Sequence, residues 1–120
     1  MWIAIAGGLG ALGVALGAFG AHTLKTRLEP AQLAVWQTAV DYHLLHVVGL
    51  LALALYASAT GRAITAPAAG FSAGILLFSG SLYWLALGGP RWLGPITPLG
   101  GLCFIAGWIA LFWLARSTAS

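Results

Sequence analysis

The stretch WQTAVDYHLLHVVGLLALALY, residues 36–56, is a short polar run that continues without a break into an apolar segment. It holds Asp41, one of the two carboxylates of the chain, beside Tyr42, His43 and His46. The whole stretch is long enough for a transmembrane helix. Ionisable groups at membrane depth are costly unless they have partners or a function. The stretch therefore predicts a transmembrane helix whose first turns carry much of the polar chemistry of the protein.

The composition of the whole chain is that of an integral membrane protein. Of its 120 residues, 61% are hydrophobic and only 6% are charged, and the mean hydropathy is +0.97. A soluble domain of this length could not bury so much apolar surface. The net charge of +3 comes from five scattered Lys and Arg residues, which argues against a nucleic-acid partner and against a polybasic lipid-binding patch. The single cysteine, Cys103, lies in an apolar stretch and is expected to be a small packing residue.

Four apolar stretches are long enough to cross a bilayer, at about residues 2–21, 37–57, 68–87 and 96–115. Short connections that contain Gly and Pro separate them. We therefore predict an all-α protein with a single domain, residues 1–120, in which four transmembrane helices form an up-and-down antiparallel bundle. The first stretch lacks the positively charged leader of a signal peptide, so we expect it to remain in the protein.

Aromatic residues lie near the ends of these stretches, as in the aromatic belts at membrane interfaces. They are Trp2, Trp36, Tyr56, Tyr83, Trp84, Trp92 and Trp113. Trp108 lies deeper, and we expect it to be a packing residue.

One face of the first span is made of glycine. Gly10, Gly13, Gly17 and Gly20 recur at steps of three and four residues, and Gly13-x-x-x-Gly17 is the spacing that lets two helix backbones approach closely. We expect this face to pack tightly against another helix and to mediate oligomerisation. A kink or a pore lining is the functional alternative.

Most polar side chains of the spans fall in one leaflet. In an up-and-down bundle, the ends of spans one and three and the starts of spans two and four lie on the same side. That side carries His22, Asp41, His43, His46, Ser79, Ser81, Tyr83, Arg91 and Thr97. At about 100° per residue, Tyr42, His43 and His46 share one arc of the second helix, whereas Asp41 points about 140° away from His46. We expect the strongest partner of Asp41 on another helix or in a basic loop.

These residues leave several kinds of chemistry open. His22, His43 and His46 could hold a metal ion or haem, but no Cys cluster or His-Glu-x-x-His signature supports such a site. An intramembrane enzyme lacks support, since the sequence has neither a nucleophile elbow nor paired carboxylates. Transport through Asp41 and His46 would require an oligomer, because four short helices leave little room for a pathway. We therefore favour a non-enzymatic accessory or structural membrane protein, with oligomeric proton-linked or small-solute transport as the alternative and metal or haem binding as a weaker one.

Four motifs, taken in order, resemble those of a known family. They are Gly17-Ala18-Phe19-Gly20-Ala21-His22; Trp36-Gln37-Thr38-Ala39 followed by Tyr42 and His46; Leu77-Phe78-Ser79-Gly80-Ser81-Leu82-Tyr83; and Ile96-Thr97-Pro98-Leu99-Gly100-Gly101. The set is similar to the YgdD-like family of small bacterial inner-membrane proteins, a domain-of-unknown-function family related to an uncharacterised small eukaryotic transmembrane protein. The resemblance implies an uncleaved four-helix protein of the inner (cytoplasmic) membrane and brings no established activity.

The resemblance also changes the weight of the candidate residues. The family pattern has a carboxylate at Asp41, Tyr at Tyr42 and His at His46, and it does not require His43, which lowers the weight of a metal pair formed by the two histidines. The candidate polar or binding cluster is accordingly His22, Asp41, Tyr42, His46, Ser79, Ser81, Tyr83 and Arg91. We expect no cofactor and no metal. The expected partners are membrane lipids and either a second copy of the chain or another membrane protein.

Charge gives only a weak preference for the orientation in the membrane. Lys25, Arg27 and Arg91 lie on one side, against Arg62 and Arg116 on the other. We place both termini in the cytoplasm because members of the similar family often have basic termini.

Overall fold

A computed structural model describes residues 1–119, and the regular structure of this part of the chain is entirely helical. The helices are α1 (Trp2–His22), α2 (Pro30–Thr60), α3 (Thr65–Gly74), α4 (Gly80–Ala86) and α5 (Ile96–Ala119). A π-helical turn, Ile75–Ser79, joins α3 to α4, so that Thr65–Ala86 forms one span. The described chain thus has four helical segments that are long and apolar enough to cross a membrane, which confirms the predicted all-α architecture.

The second helix begins earlier than predicted. Pro30 occupies its first turn, and the Glu29 backbone N–H donates to Gln32 Oε1 at 3.2 Å, so the helix starts at Pro30 rather than near Gln37. It ends at Thr60, and the capping residue Gly61 has a φ of 72°, a left-handed conformation that glycine adopts without strain. With 31 residues, α2 is about 46 Å long and extends beyond the hydrocarbon core of a bilayer.

The helices pack in chain order, α1 on α2, α2 on the third span, and the third span on α5. The largest core cluster joins the first three spans and consists of Ala6, Leu50, Leu53, Ile64, Ala68 and Phe71. Large apolar side chains such as Val14, Val48 and Leu102 are more than half exposed on the outside of the bundle. An apolar outer surface of this kind is suited to lipid rather than to water.

The glycine face of α1 packs on α2 of the same chain. A Cβ atom placed on Gly13 would lie 2.7 Å from Leu44 Cδ2, and one placed on Gly20 would lie 2.6 Å from Trp36 Cδ1. Cβ atoms on Gly10 and Gly17 would also meet side chains of α2, at 3.3 and 3.2 Å. Because α2 covers this face, it is not available to a second copy, and oligomerisation would have to use another surface.

The third span and α5 approach each other closely through their backbones. A Cβ atom on Gly70 would lie 2.7 Å from Gly107 Cα, and one on Gly107 would lie 2.7 Å from Phe71 Cδ1. Small residues at such crossings let two transmembrane helices come into van der Waals contact along their main chains. This packing fixes the position of α5 relative to the polar residues of α2.

The expected aromatic belt is only partly present. Trp84, Trp92 and Trp113 are 51%, 58% and 62% exposed on the outer surface, as an interfacial belt requires. For Trp36 the prediction is wrong, since its side chain is 2% exposed and lies between α1 and α2. The absence of a side chain at Gly20 leaves the space that its indole ring fills.

Candidate functional site

His43 lies at the centre of the polar contacts between helices. Its side chain is 1% exposed, and both ring nitrogens have partners: Nε2 lies 2.8 Å from the Leu9 carbonyl oxygen of α1, and Nδ1 lies 2.8 Å from the Tyr83 hydroxyl of α4. A carbonyl can only accept, so we assign the ring proton to Nε2. Nδ1 then accepts the proton of the Tyr83 hydroxyl, and a neutral ring satisfies both bonds.

Two aromatic rings of α2 contact α1 in the same way. Trp36 Nε1 donates to the Leu16 carbonyl at 2.9 Å and packs where Gly20 has no side chain, while His43 donates to the Leu9 carbonyl and packs against Gly13. In each pair the ring N–H reaches the carbonyl four residues before the glycine. The two pairs are seven residues apart on both helices, so they repeat once per two helical turns. We call them the glycine–ring pairs, and they fix the register of α1 on α2.

His46 lies about 60° around α2 from His43 and makes a second set of contacts. Trp108 Nε1 of α5 donates to His46 Nε2 at 3.0 Å, and His46 Nδ1 lies 2.7 Å from the Tyr42 carbonyl oxygen. An indole N–H is only a donor, so Nε2 accepts and Nδ1 carries the proton, the opposite tautomer to that of His43. The ring stacks on Phe104 with centroids 3.7 Å apart and meets the edge of Phe71 at 5.3 Å.

The π-helical turn places two serines toward other helices. Ser79 is fully buried, and its hydroxyl donates to the Ala39 carbonyl of α2 at 2.8 Å. Ser81 is 4% exposed, and its hydroxyl lies 2.6 Å from that of Thr97 at the start of α5. A π-helical turn holds one more residue than an α-helical turn and so rotates the residues after it, and such turns often occur at functional positions. Each hydroxyl thereby joins the third span to a neighbour.

Taken together, the hydrogen bonds make α2 the centre of the molecule. Its side chains or carbonyls bond to α1, to the third span and to α5, which are all the other spans. In a bilayer, buried polar groups have no water to bond with, so a satisfied network between helices specifies how they assemble. The arrangement is chemically suited to holding helices in place.

The predicted candidate residues are not all in this network. The structure brings together His46, Ser79, Ser81 and Tyr83 with the residues described above, and Tyr42 contributes its carbonyl and a 44% exposed ring. His22, Asp41 and Arg91 are exposed and lie outside it, which corrects the expectation of one joint cluster. The reason is geometric: His22 and Arg91 lie at or beyond helix ends, and Asp41 points away from the neighbouring helices.

Within the described residues, Asp41 has no hydrogen bond or ion pair to another helix or to a basic loop, contrary to the expectation. In residues 1–119, the hydrogen bond to its carboxylate comes from Gln37 Nε2 of the same helix, at 2.8 Å from Oδ1. Residues four apart on a helix are neighbours on its surface, which explains this pairing.

The three histidines do not form a ligand set. Leu9, which His43 contacts, precedes His22 by 13 residues, which corresponds to about 20 Å along α1. Both ring nitrogens of His43 and of His46 are engaged in hydrogen bonds, so a metal would have to displace protein partners. Within the described part of the chain, no group of three or more His, Cys, Asp or Glu side chains is placed to hold a metal ion.

A groove opens beside His46 on the outer surface of the bundle. Its volume is 380 Å³, and it lies between α2, the third span and α5. The lining is aromatic and aliphatic, with Tyr42, Phe78, Phe104 and Trp108 among its residues. Since both His46 nitrogens are already bonded, the groove offers mainly apolar contact, as to a lipid chain.

Sequence reasoning named His43, Trp36 and Trp108 but did not place any of them in the network of hydrogen bonds between helices. Their partners lie on other helices, so the period of a single helix does not reveal them. One signal was present: Trp36 and His43 are seven residues apart, as are Gly13 and Gly20. Matching spacings on two successive spans of a helical hairpin indicate that a large side chain faces a small one at each level.

Comparison with known proteins adds a family to this geometry. Residues 16–101 match the family described as "Protein of unknown function (DUF423)". The UPF0382 membrane protein YwdK of Bacillus subtilis is 48% identical over 103 residues, which cover 83% of each chain. A UPF0382 membrane protein of Haemophilus influenzae is 43% identical over 98 residues, covering 82% of this chain and 79% of its own. The UPF0382 inner membrane protein YgdD of Escherichia coli is 40% identical over 99 residues, covering 79% and 73%. No solved structure matches.

Proposed function

Because this chain belongs to the DUF423 family of membrane proteins, whose activity the family description leaves open, we propose that it is a non-enzymatic accessory or structural protein of the inner membrane. Its buried polar residues serve to hold four spans in one arrangement. The inner-membrane location rests on the name of the Escherichia coli relative and on the four apolar spans.

The observation that carries this proposal is that the two buried histidines, His43 and His46, use both of their ring nitrogens in hydrogen bonds within the chain. All their ring nitrogens bond to groups of the same chain, at 2.7 to 3.0 Å, and the bonds reach α1, α4 and α5. A histidine that acts as a general base or proton carrier needs a nitrogen within reach of the reacting group or of water. Here three of the four nitrogens bond to other helices and the fourth bonds to a carbonyl of α2, which supports an architectural role.

The serines support the same interpretation. The hydroxyl of Ser79 bonds to a backbone carbonyl, and that of Ser81 bonds to Thr97 and to the Phe78 carbonyl. A nucleophilic serine is activated by an adjacent base, and neither hydroxyl has a hydrogen bond to a histidine. The alternative of proton-linked or small-solute transport by an oligomer has no comparable observation in its favour.

The test compares one substitution at a buried and at an exposed histidine. His43→Phe fills the site with a ring that cannot hydrogen-bond, so it leaves the Tyr83 hydroxyl without its acceptor. We expect a loss of about 1–3 kcal/mol in the free energy of unfolding in detergent. His22→Phe changes an exposed side chain at the end of α1 and should leave stability within about 0.5 kcal/mol of the wild type.

A flux measurement separates this role from transport. Vesicles that contain the purified protein and a pH-sensitive dye should acidify under a proton gradient at the rate of empty vesicles. If the protein gives a proton flux well above that of empty vesicles, and His46→Phe abolishes this flux, the architectural role is contradicted. Equal stability of His43→Phe and His22→Phe would contradict it as well. Retained folding of His46→Phe, checked by circular dichroism, is the control for lost flux.

A further inference from the structure

The outer face of α2 carries a carboxylate that points directly away from the bundle. Asp41 is exposed, and it lies nine residues from Leu50, which is fully buried. At about 100° per residue, these two side chains are on opposite sides of the helix. Asp41 therefore lies at the centre of the face that α2 turns toward the lipid.

The register of α1 on α2 gives the depth of this carboxylate. Val40 packs against Gly17, so Asp41 lies at about the level of Leu16. Leu16 precedes His22, the last residue of α1, by six residues, which corresponds to about 9 Å along the helix. Asp41 is thus within the span rather than at its end, where lipid offers no hydrogen bonds and an exposed carboxylate is costly.

The hydrogen-bonding capacity of this face is only half used. Gln37 Nε2 donates one N–H to Asp41 Oδ1, whereas the amide has two N–H donors and the carboxylate two oxygens. Among residues 1–119, neither the second N–H of Gln37 nor Asp41 Oδ2 has another partner. The neighbouring Thr38 is satisfied, because its hydroxyl donates to the Ala34 carbonyl at 3.0 Å. A donor on Gln37 and an acceptor on Asp41 therefore remain, one helical turn apart, together with the acceptor Gln37 Oε1.

We propose that this face of α2 binds the same face of a second copy of the chain, in a parallel dimer with a two-fold axis along the membrane normal. The remaining N–H of Gln37 in each protomer donates to Asp41 Oδ2 of the other. A two-fold axis brings each group to the counterpart it lacks, because contacts across it are reciprocal. Each carboxylate then accepts two amide N–H groups, which offsets the repulsion between the two acids.

The residues around the polar pair suit close helix contact. Exposed positions follow one another at steps of three and four residues along the whole of α2: Ala31, Ala34, Thr38, Asp41, Leu45, Val48, Ala52, Leu55 and Ala59. This is the spacing of a helix–helix seam, and small residues at either end let the backbones approach. A polar residue at one position of such a seam fixes register and partner number.

A second copy fits this face better than the basic groups of the same chain. Lys25 and Arg27 lie in the connection beyond α1, above the level of Asp41, and no ion pair joins them to it within the described residues. The hydrogen bonds left over on Gln37 and Asp41 are complementary to each other, so the surface is complementary to itself. The inference goes beyond the proposed function, which concerns contacts within one protomer.

The test uses the full chain in lipid bilayers. Protein labelled with a donor fluorophore and protein labelled with an acceptor are mixed in vesicles at decreasing protein-to-lipid ratios. The energy transfer between the two labels gives the dissociation constant of the dimer. Asp41→Leu removes both intermolecular bonds of the symmetric pair, and we expect the dissociation constant to rise about tenfold or more. Val14→Leu is the control, an exposed apolar position on α1 outside the seam, and should change the constant less than about threefold.

Cross-linking locates the interface independently. On a Cys103→Ser background, single cysteines at Thr38 and Leu45 should form disulfide-linked dimers on oxidation, whereas cysteines at the exposed Val14 and Leu102 of α1 and α5 should not. A monomeric wild type, a dimer whose constant is unchanged by Asp41→Leu, or cross-linking confined to Val14 or Leu102 would overturn the proposal. Monomers that capture a different basic membrane protein through Asp41 would also overturn it. As a control, the free energy of unfolding of each variant in detergent is compared with that of the wild type. An unchanged value shows that loss of the dimer does not result from loss of folding.

Discussion

Replacement of Gly20 by alanine tests the glycine–ring pairs directly. The added Cβ would lie 2.6 Å from Trp36 Cδ1 and 2.6 Å from Nε1, about 1 Å closer than carbon atoms pack in proteins. Trp36 is 2% exposed and lies against the rings of Phe19 and Tyr83, so the indole ring cannot shift without displacing a neighbour. We therefore expect α1 and α2 to separate locally and the ring to lose its hydrogen bond to the Leu16 carbonyl, now 2.9 Å long.

The size of the effect comes from two losses and one gain. Forcing a methyl group into a packed interface costs about 1–3 kcal/mol, and the lost hydrogen bond costs about 1 kcal/mol. The higher helix propensity of alanine returns up to about 1 kcal/mol. Gly20→Ala should thus lower the free energy of unfolding by about 1–3 kcal/mol. Gly8→Ala is the matched control in the same helix, because its Cβ would meet nothing within 4 Å.

The measurement is reversible unfolding by sodium dodecyl sulfate in mixed micelles, followed by circular dichroism. The Trp36 indole N–H resonance, identified by its loss in Trp36→Phe, should shift in Gly20→Ala and remain unchanged in Gly8→Ala. If Gly20→Ala is as stable as Gly8→Ala, the close contact between Gly20 and Trp36 does not determine the packing of α1, and the reasoning fails.

Two further substitutions address single hydrogen bonds of the network. Tyr83→Phe leaves the buried His43 Nδ1 without its donor and should lower the free energy of unfolding by about 1–3 kcal/mol. Tyr56→Phe is the same change at a tyrosine outside the network and should lower it by less than about 0.5 kcal/mol in the same assay. Ser79→Ala removes a buried donor to a carbonyl and should lower the free energy of unfolding by about 1 kcal/mol. Ser58→Ala, at an exposed position, should cause no measurable change. Equal unfolding midpoints for the two serine variants would show that the bond contributes nothing.

The fold could be predicted from sequence because each span is an independent signal. Length and hydropathy identified four helices, and the match to relatives that include YgdD confirms the family resemblance. The glycine spacing showed which face of α1 is flat. It did not show that the covering helix is α2 of the same chain, because a flat face is equally suited to a partner in another protomer.

The candidate site was harder to predict, and His43 shows why. Helical angles separated Asp41 from the histidines, and in the structure Asp41 is exposed while His43 and His46 are buried. The partners of His43 lie on α1 and α4, however, and the period of one helix carries no information about the register between helices. The family pattern favoured His22 over His43, whereas the structure has His22 exposed and His43 buried.

The π-helical turn was equally hidden from sequence reasoning. Residues 75–79 read ILLFS, which is compatible with an ordinary α-helix. The wider turn coincides with tertiary contacts, among them the bond from Ser79 to the Ala39 carbonyl. A helical period counted along the chain therefore misplaces by about 100° the side chains beyond this turn.

The glycine–ring pairs have a consequence for how the protein is made. Each pair joins α1 to α2, which are consecutive along the chain with only residues 23–29 between them. Every group needed for both pairs is present once synthesis has passed His43, before the third span exists. The first two helices can therefore enter the membrane as a preformed hairpin, with the ring N–H groups of Trp36 and His43 already bonded to carbonyls of α1. The third span then docks onto α2, and α5 onto the third span, as each emerges from the ribosome, so that biogenesis proceeds in the order of the chain.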